Sequence, residues 1–163
     1  MLWSSPLPTG FTASGGNKNN FNWFPNALSI DSAGNICVGG IVSTNANDAA
    51  LIKYPPAGGS PTWMQTLGSS SAEKVISLAI ASDDTVYMDG TSAGQLPQQP
   101  ASAHGGGFEL HYGADGTLLS TVQSTSLLAG ADYQVDSSGN AYLIVSATGA
   151  QTKWSSSGYG RGP

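Results

Sequence analysis

The sequence predicts an all-β fold built from repeats of a four-stranded antiparallel sheet. A strand–turn–strand segment occurs three times along the 163 residues, and a second hairpin pattern follows each copy. The runs between turns are short and rich in Ile, Val, Leu and Tyr, which is typical of strands. No stretch combines a helical apolar period with capping residues, so no helix is expected.

The repeated segment has the pattern of two short strands joined by a tight turn. Its copies align on Ile30, Ile80 and Val135. The turn reads Asp-Ser-Ala-Gly-Asn, Ser-Asp-Asp-Thr and Asp-Ser-Ser-Gly-Asn in the three copies. An Asp side chain bonds the backbone two residues on, and Gly and Asn accept positive φ, so these residues predict β-hairpins. The copies span residues 27–40, 77–90 and 132–145.

A second hairpin is predicted after each copy, because two further apolar runs flank a Gly-rich or Ser-rich turn. The third copy is followed by residues 150–154 and a Ser-rich turn, and its last strand is expected at residues 2–5, where Leu-Trp resembles Trp63-Met64. Each repeat would therefore hold four strands. The second-hairpin strands of the first two repeats are residues 50–54 with 62–65, and residues 108–112 with 117–120.

Four strands per repeat and a period of about 50 residues match the strand number and the length of a β-propeller blade. The pattern apolar-x-apolar-Asp-Ser-x-Gly-Asn-x-Tyr-apolar, followed by a Lys-Tyr strand and Asp-Gly-Thr-Leu, resembles the bacterial SBBP-type and NHL-like β-propeller repeats over most of residues 27–160. The resemblance implies an extracellular or cell-surface propeller, commonly without catalytic residues in the repeat. The blade-like repeats are expected at residues 27–68, 77–121 and 130–163 plus 1–5, all within a single domain, residues 1–163.

The number of repeats predicts association. Propellers typically close with about four to eight blades, so about three blades make an incomplete ring with unpaired sheet edges, and such edges pair with other chains. The predicted function is therefore a non-catalytic structural or assembly role through open sheet edges. The expected partner is the chain itself, in a closed homo-oligomer or a filament, or the remainder of a longer propeller chain.

Composition excludes several partners and suggests a location. The net charge is −5 with only five Lys and Arg, which does not suit a row of phosphates, so no nucleic-acid partner is expected. No apolar run approaches about 18 residues, so no membrane span is expected. The first residues lack a signal-peptide pattern, which suggests an excised chain or another export route. Charged residues make up 9% and there is one Cys, which fits an extracellular or cell-surface setting.

The best binding candidate is the Asn-rich and aromatic segment of residues 17–25, which is predicted to be a long loop. Amide side chains beside aromatic rings suit sugars, because the hydroxyls need bidentate partners and the C–H faces stack on rings. The alternative function is therefore a carbohydrate-binding propeller module with glycans as ligands, whereas the competing interpretation has these aromatics filling a gap between blades. The candidate residues are Asn20, Phe21, Asn22, Trp23 and Phe24.

Other motifs predict structure rather than chemistry. Gly90-Thr91-Ser92-Ala93-Gly94 matches a nucleophile elbow, and a His-Gly-Gly-Gly run begins at His104. The elbow needs a helix after the Ser, and the Pro- and Gln-rich residues 95–100 cannot supply one. His111 is expected on an exposed strand face, and Cys37 is expected to be buried in a strand. The Asp residues of the turns lack the ligand spacing of an EF-type loop. No catalytic residue, metal site or cofactor is predicted.

Overall fold

The computed structural model describes residues 11–13, 21–43, 46–101, 105–125, 132–136 and 141–144. These residues form eleven strands, so the all-β prediction is confirmed for them. They contain no helix with the length and apolar character needed to span a membrane. The predicted strands at residues 2–5 and 150–154 lie outside the described residues.

The first sheet has the order β1-β2-β3-β4-β5, with β1 parallel to β2 and every other pair antiparallel. The predicted turns at residues 31–35 and 55–59 join β2 to β3 and β4 to β5, so both predicted hairpins of the first repeat are confirmed. The strands are β1 (Phe11–Ala13), β2 (Phe21–Ile30), β3 (Ile36–Ser43), β4 (Asp48–Tyr54) and β5 (Trp63–Leu67).

The second sheet repeats the four antiparallel strands in the order β6-β7-β8-β9. A third hairpin pairs β10 (Asp132–Val135) with β11 (Ala141–Ile144), as the third repeat predicts. The described residues show no closed ring, and the propeller arrangement stays a prediction. The strands of the second sheet are β6 (Glu73–Ile80), β7 (Val86–Ser92), β8 (Gly106–Tyr112) and β9 (Leu118–Ser124).

The turns fold as their side chains dictate. Asp31 Oδ1 accepts hydrogen bonds from the backbone N–H of Ala33 (3.0 Å) and Asn35 (2.8 Å). Asp83 accepts one from the N–H of Thr85 (3.1 Å) in the next repeat. These bonds satisfy backbone donors inside the turn and fix its shape. The prediction that these Asp side chains are turn residues is confirmed.

Both sheets carry a β-bulge at the same place in the repeat. The register shifts between Pro25 and Ala27 in β2, and it shifts between Val75 and Ser77 at the equivalent position of β6. The Asn26 side-chain amide donates a hydrogen bond to the Val75 carbonyl (3.0 Å), so the two bulges are in contact.

The main core lies between the two sheets. Strand β6 contacts β2, β3 and β4 of the first sheet on one side and β10 on the other. Alternation along each strand sends one set of side chains toward this core; Cys37 and Leu51 come from the first sheet, and Leu78, Phe108 and Leu110 come from the second. The first strands of the three repeats, β2, β6 and β10, therefore form a row in which each repeat packs on the next.

Candidate functional site

The predicted sugar-binding loop is partly a strand. Residues 21–25 lie in β2, so the expectation of a loop there was wrong for the part that the structure describes, and Asn20 lies outside the described residues. Phe21, Asn22 and Trp23 pair with β1, and the Phe24 side chain is 38% exposed. An extended strand spaces successive side chains on opposite faces.

The strongest surface feature is the face of the first sheet that points away from the second sheet, called the outer face below. Its centre is buried, since Val42, Ala50, Ile52 and Tyr54 are each at most 5% exposed. Toward the edge at β2 its apolar side chains are exposed, and Leu28 and Ile30 reach 61% and 60%. Scattered exposed apolar residues are ordinary, but a contiguous apolar set marks an interaction surface. The outer face comprises Leu28, Ile30, Ile36, Val38, Val42, Ala50, Ile52, Tyr54 and Met64.

The second repeat shows how the equivalent face packs when another sheet lies against it. Leu78 is the equivalent of Leu28 in the second repeat and is only 7% exposed, because it packs against the first sheet beside Gly39. Ile80, the equivalent of Ile30, also packs on the core between the sheets. The same two positions are thus covered in the second repeat and open in the first. The exposed part of the outer face is therefore its β2 side, at Leu28 and Ile30.

Two polar links hold the sheets in register at the turn end. The Ser32 backbone N–H and hydroxyl donate to the two carboxylate oxygens of Asp84, at 2.8 and 2.7 Å. Lys53 Nζ and Trp63 Nε1 both donate to the Ala114 carbonyl oxygen at 3.1 Å. Each link joins a turn or strand of the first sheet to a turn of the second. Neighbouring repeats are therefore fixed by side-chain bonds as well as by the core.

Lys53 also forms a buried ion pair with Asp31. Its Nζ lies 2.8 Å from Asp31 Oδ2, and the two side chains are 7% and 1% exposed. Burial by itself would raise the pKa of Asp31, but the hydrogen bonds from Lys53 and Asn35 and the Lys53 charge outweigh it, so this pKa lies below its usual value. The carboxylate stays charged and holds the turn and β4 together.

The far face of the second sheet is more polar. Ser77 donates a hydrogen bond to Asp89, and both side chains are buried. The Tyr87 and His111 rings stack with their centroids 4.0 Å apart, and His111 Nε2 is buried with no hydrogen-bond partner among the described residues. Desolvation lowers the pKa of His111, although the charges of Glu109 and Asp83 oppose that shift. His111 is half-buried, so the expectation of an exposed face was wrong.

The Ser of the elbow-like motif has a structural place. Ser92 ends β7, is 4% exposed, and donates a hydrogen bond to the buried Glu73 at 2.8 Å. A nucleophilic Ser needs an exposed hydroxyl beside a base that can take its proton. Glu73 Oε1 also accepts from the Ser69 hydroxyl at 2.6 Å, which ties the β5–β6 connection to β7. His104 lies outside the described residues.

Cys37 is buried in β3, as expected. Burial raises the pKa of its thiol to about 11, with the Lys53 charge opposing that shift. A thiol with so high a pKa is a weak nucleophile near neutral pH. In the part of the chain that the structure describes, no three His, Cys, Asp or Glu side chains come together in a way that could hold a metal ion.

Neither a protein-family model nor a curated protein matches this sequence. Sequence reasoning missed the outer face, although a signal for it was present: Leu28 and Leu78, like Ile30 and Ile80, occupy equivalent repeat positions. It also missed the Lys53–Asp31 pair, for which the chain offers no local pattern.

Proposed function

We propose that this chain is a non-catalytic, propeller-like repeat domain that acts by association, and that it associates through the open side of its first sheet. The observation that carries the proposal is the 61% and 60% exposure of Leu28 and Ile30, whose equivalents are packed in the second repeat. Burying such side chains is favourable by about 25 cal/mol per Å² of apolar area. The partner that buries them is a second copy of the chain. The other expected partner is the remaining blades of a longer propeller chain.

The open side includes an edge as well as a face. Strand β1 pairs with only three residues of β2, Phe21 to Trp23. The rest of β2 forms the edge of the described sheet, and edge strands offer unpaired N–H and C=O groups to another chain. The one lysine in the strands of this sheet, Lys53, is buried in the ion pair, so none of these strands places a lysine at the edge. An extracellular or cell-surface setting, suggested by the low charge, is part of the same proposal.

Sedimentation equilibrium of the pure chain over a range of concentrations tests the proposal. We expect a mass above that of the monomer, and we expect Leu28→Ser with Ile30→Ser to lower it. The matched control is Leu118→Ser with Leu119→Ser on β9, where the side chains are 40% and 53% exposed. This pair removes similar apolar area at the far edge of the second sheet and should leave the mass unchanged. A wild-type chain that stays monomeric at every concentration overturns the proposal.

Glycan binding is the second candidate, and it rests on Phe24. This ring is 38% exposed on β2, next to the Asn-rich segment. Exposed aromatic rings beside amides suit the C–H faces and hydroxyls of sugars. A glycan array with wild type, Phe24→Ala and Trp23→Ala tests it. Binding that both variants weaken supports a sugar site, and an array without binding, or with binding that neither variant changes, rejects it.

A further inference from the structure

We infer that the third hairpin of a second copy covers Leu28 and Ile30, the exposed part of the outer face, so that copies join head to tail. This inference rests on the proposed association and adds which two surfaces meet. It follows from a packing rule that the molecule uses twice within one chain. The rule concerns the last residue of the first strand in each repeat, namely Ile30, Ile80 and Val135.

The first use of the rule is the contact between the two sheets. Ile80 packs on the cluster that contains Cys37, the second residue of β3. Leu78 approaches the same sheet at Gly39, within 3.0 Å of the position that a Cβ would take. The start of one repeat thus covers the return strand of the repeat before it.

The second use is the contact between the second sheet and the third hairpin. Val135 packs against Ala79, as Tyr87 does, and β10 lies against β6. Val135 is the equivalent of Ile80, and Tyr87 is the equivalent of Cys37. In both contacts the last residue of a first strand packs on the repeat before it.

Applied a third time, the packing rule identifies the surface that should pack on the first strand of the first repeat. Ile30 and Leu28 are the covering residues of the first repeat, and they are exposed. The positions that they should cover are the third-repeat equivalents of Ala79 and Tyr87, which are Gln134 and Tyr142. Gln134 and Tyr142 are cross-strand partners on one face of the third hairpin, and both are exposed, Tyr142 to 37%.

One copy therefore carries both halves of the contact on different surfaces. A contact between two different surfaces is heterologous, and it generates a ring when the rotation closes or a filament when it does not. Two copies that met outer face to outer face would instead form a symmetric dimer with the third hairpin unused. The two arrangements respond differently to substitutions on the third hairpin.

The test uses two full-length variants, each blocked on one surface. The face variant carries Leu28→Asp and Ile30→Asp, and the hairpin variant carries Gln134→Asp and Tyr142→Asp, so that the two blocked surfaces repel each other. We expect each variant alone to sediment as a monomer. An equimolar mixture should form a one-to-one dimer and nothing larger, because the intact hairpin of one variant meets the intact face of the other.

Three results overturn the inference, and they separate it from the proposed function. A hairpin variant that assembles like the wild type excludes the third hairpin and leaves face-to-face association standing. A mixture that remains monomeric, although circular dichroism shows both variants folded, excludes the head-to-tail contact alone. A monomeric wild type removes the proposed function as well.

A second measurement does not depend on disruptive substitutions. An Ile30→Cys chain mixed with a Gln134→Cys chain, both in the Cys37→Ser background, should form a disulfide-linked heterodimer under a mild oxidant. The Ile30→Cys chain alone should not cross-link, because equivalent positions do not meet in a head-to-tail contact. Cross-linking of the Ile30→Cys chain with itself contradicts the inference.

Discussion

Lys53 is one of only five Lys and Arg residues, and it lies inside the molecule, bound to the carboxylate of Asp31. Removing one partner of a buried pair leaves an uncompensated charge, which costs about 3–5 kcal/mol. We expect Lys53→Met to lower the free energy of unfolding by about this amount, as measured by urea denaturation. The contact between the sheets should weaken too, because Lys53 also binds the Ala114 carbonyl.

The matched control is Lys74→Met, since Lys74 is exposed on β6. Surface substitutions of this kind usually change stability by less than about 0.5 kcal/mol. The double variant Asp31→Asn with Lys53→Met should recover part of the loss, because no buried charge remains. Equal losses for Lys53→Met and Lys74→Met would show that the ion pair contributes little.

The lowered pKa of Asp31 gives stability a defined pH dependence. The unfolded carboxyl titrates near its ordinary pKa of about 3.9, and the folded one titrates below it. The stabilisation from Asp31 is therefore fully present above the unfolded pKa and is lost as the pH falls through the folded pKa. We expect wild type to exceed Asp31→Asn in free energy of unfolding at about pH 6 and the gap to shrink toward about pH 3. A gap that widens with acidification would reverse the sign and exclude this origin.

At the scale of the strand, each bulge requires a glycine across from it. A Cβ on Gly40 would overlap the Phe24 carbonyl oxygen and come within 2.8 Å of Pro25 Cα, and Gly90 faces the Lys74 carbonyl in the same way. Backbone atoms cannot step aside, so overpacking here should cost about 1–3 kcal/mol. We expect Gly40→Ala to lower the thermal midpoint clearly.

The neighbouring Gly39→Ala is the control for that substitution. Its Cβ would approach only the Leu78 side chain, at 3.0 Å, and a leucine can shift slightly to make room. Its thermal midpoint should therefore fall less than that of Gly40→Ala. Calorimetry of both variants measures the difference, and a larger loss in Gly39→Ala would contradict the bulge argument.

The hairpins were predictable because their information is local. Asp31, Asp83 and Asp115 each bond a backbone N–H two residues on, so a short stretch of sequence suffices to specify a turn. Alternating apolar residues on either side then fix which face each strand buries. Four strands in each of the first two repeats follow from these two signals.

The first half of β2 was not predictable in the same way. Asn residues and Pro25 argue for a loop, since Pro removes a ladder donor. The structure accommodates Pro25 at a bulge on an edge strand, opposite Gly40. That arrangement depends on a glycine in the following strand, and the residues of β2 alone do not reveal it. The parallel pairing of β1 with β2 has no turn signal at all.

The outer face escaped prediction because exposure depends on the packing of whole sheets. Leu28 and Leu78 have similar neighbours in sequence, yet one is 61% exposed and the other 7%. Only the presence of a preceding sheet beside Leu78 distinguishes them. The Lys53–Asp31 pair could not be predicted for the same reason, because it forms only where β4 lies beside the β2–β3 turn.

At the scale of the whole molecule, the described repeats form a row with two unlike ends. One end is the outer face of the first sheet, and the other is the exposed side of the third hairpin at Gln134 and Tyr142. Between them, the first strand of one repeat packs on the repeat before it twice, through Ile80 and through Val135. Such a row is stabilised by nearest-neighbour interfaces, so each added repeat completes one more contact of the same kind.

Charge repulsion opposes this association and apolar burial favours it. Salt distinguishes the two effects, because it screens only the repulsion. Copies with a net charge of −5 repel each other, whereas burial of Leu28 and Ile30 is not screened by ions. Raising NaCl from about 0.01 M to about 1 M shortens the Debye length from about 30 Å to about 3 Å. We therefore expect the weight-average mass from sedimentation equilibrium to rise with salt in wild type. The variant with Leu28→Asp and Ile30→Asp should stay monomeric throughout. A wild-type mass that falls with salt would mean that ion pairs, not the outer face, hold the copies together.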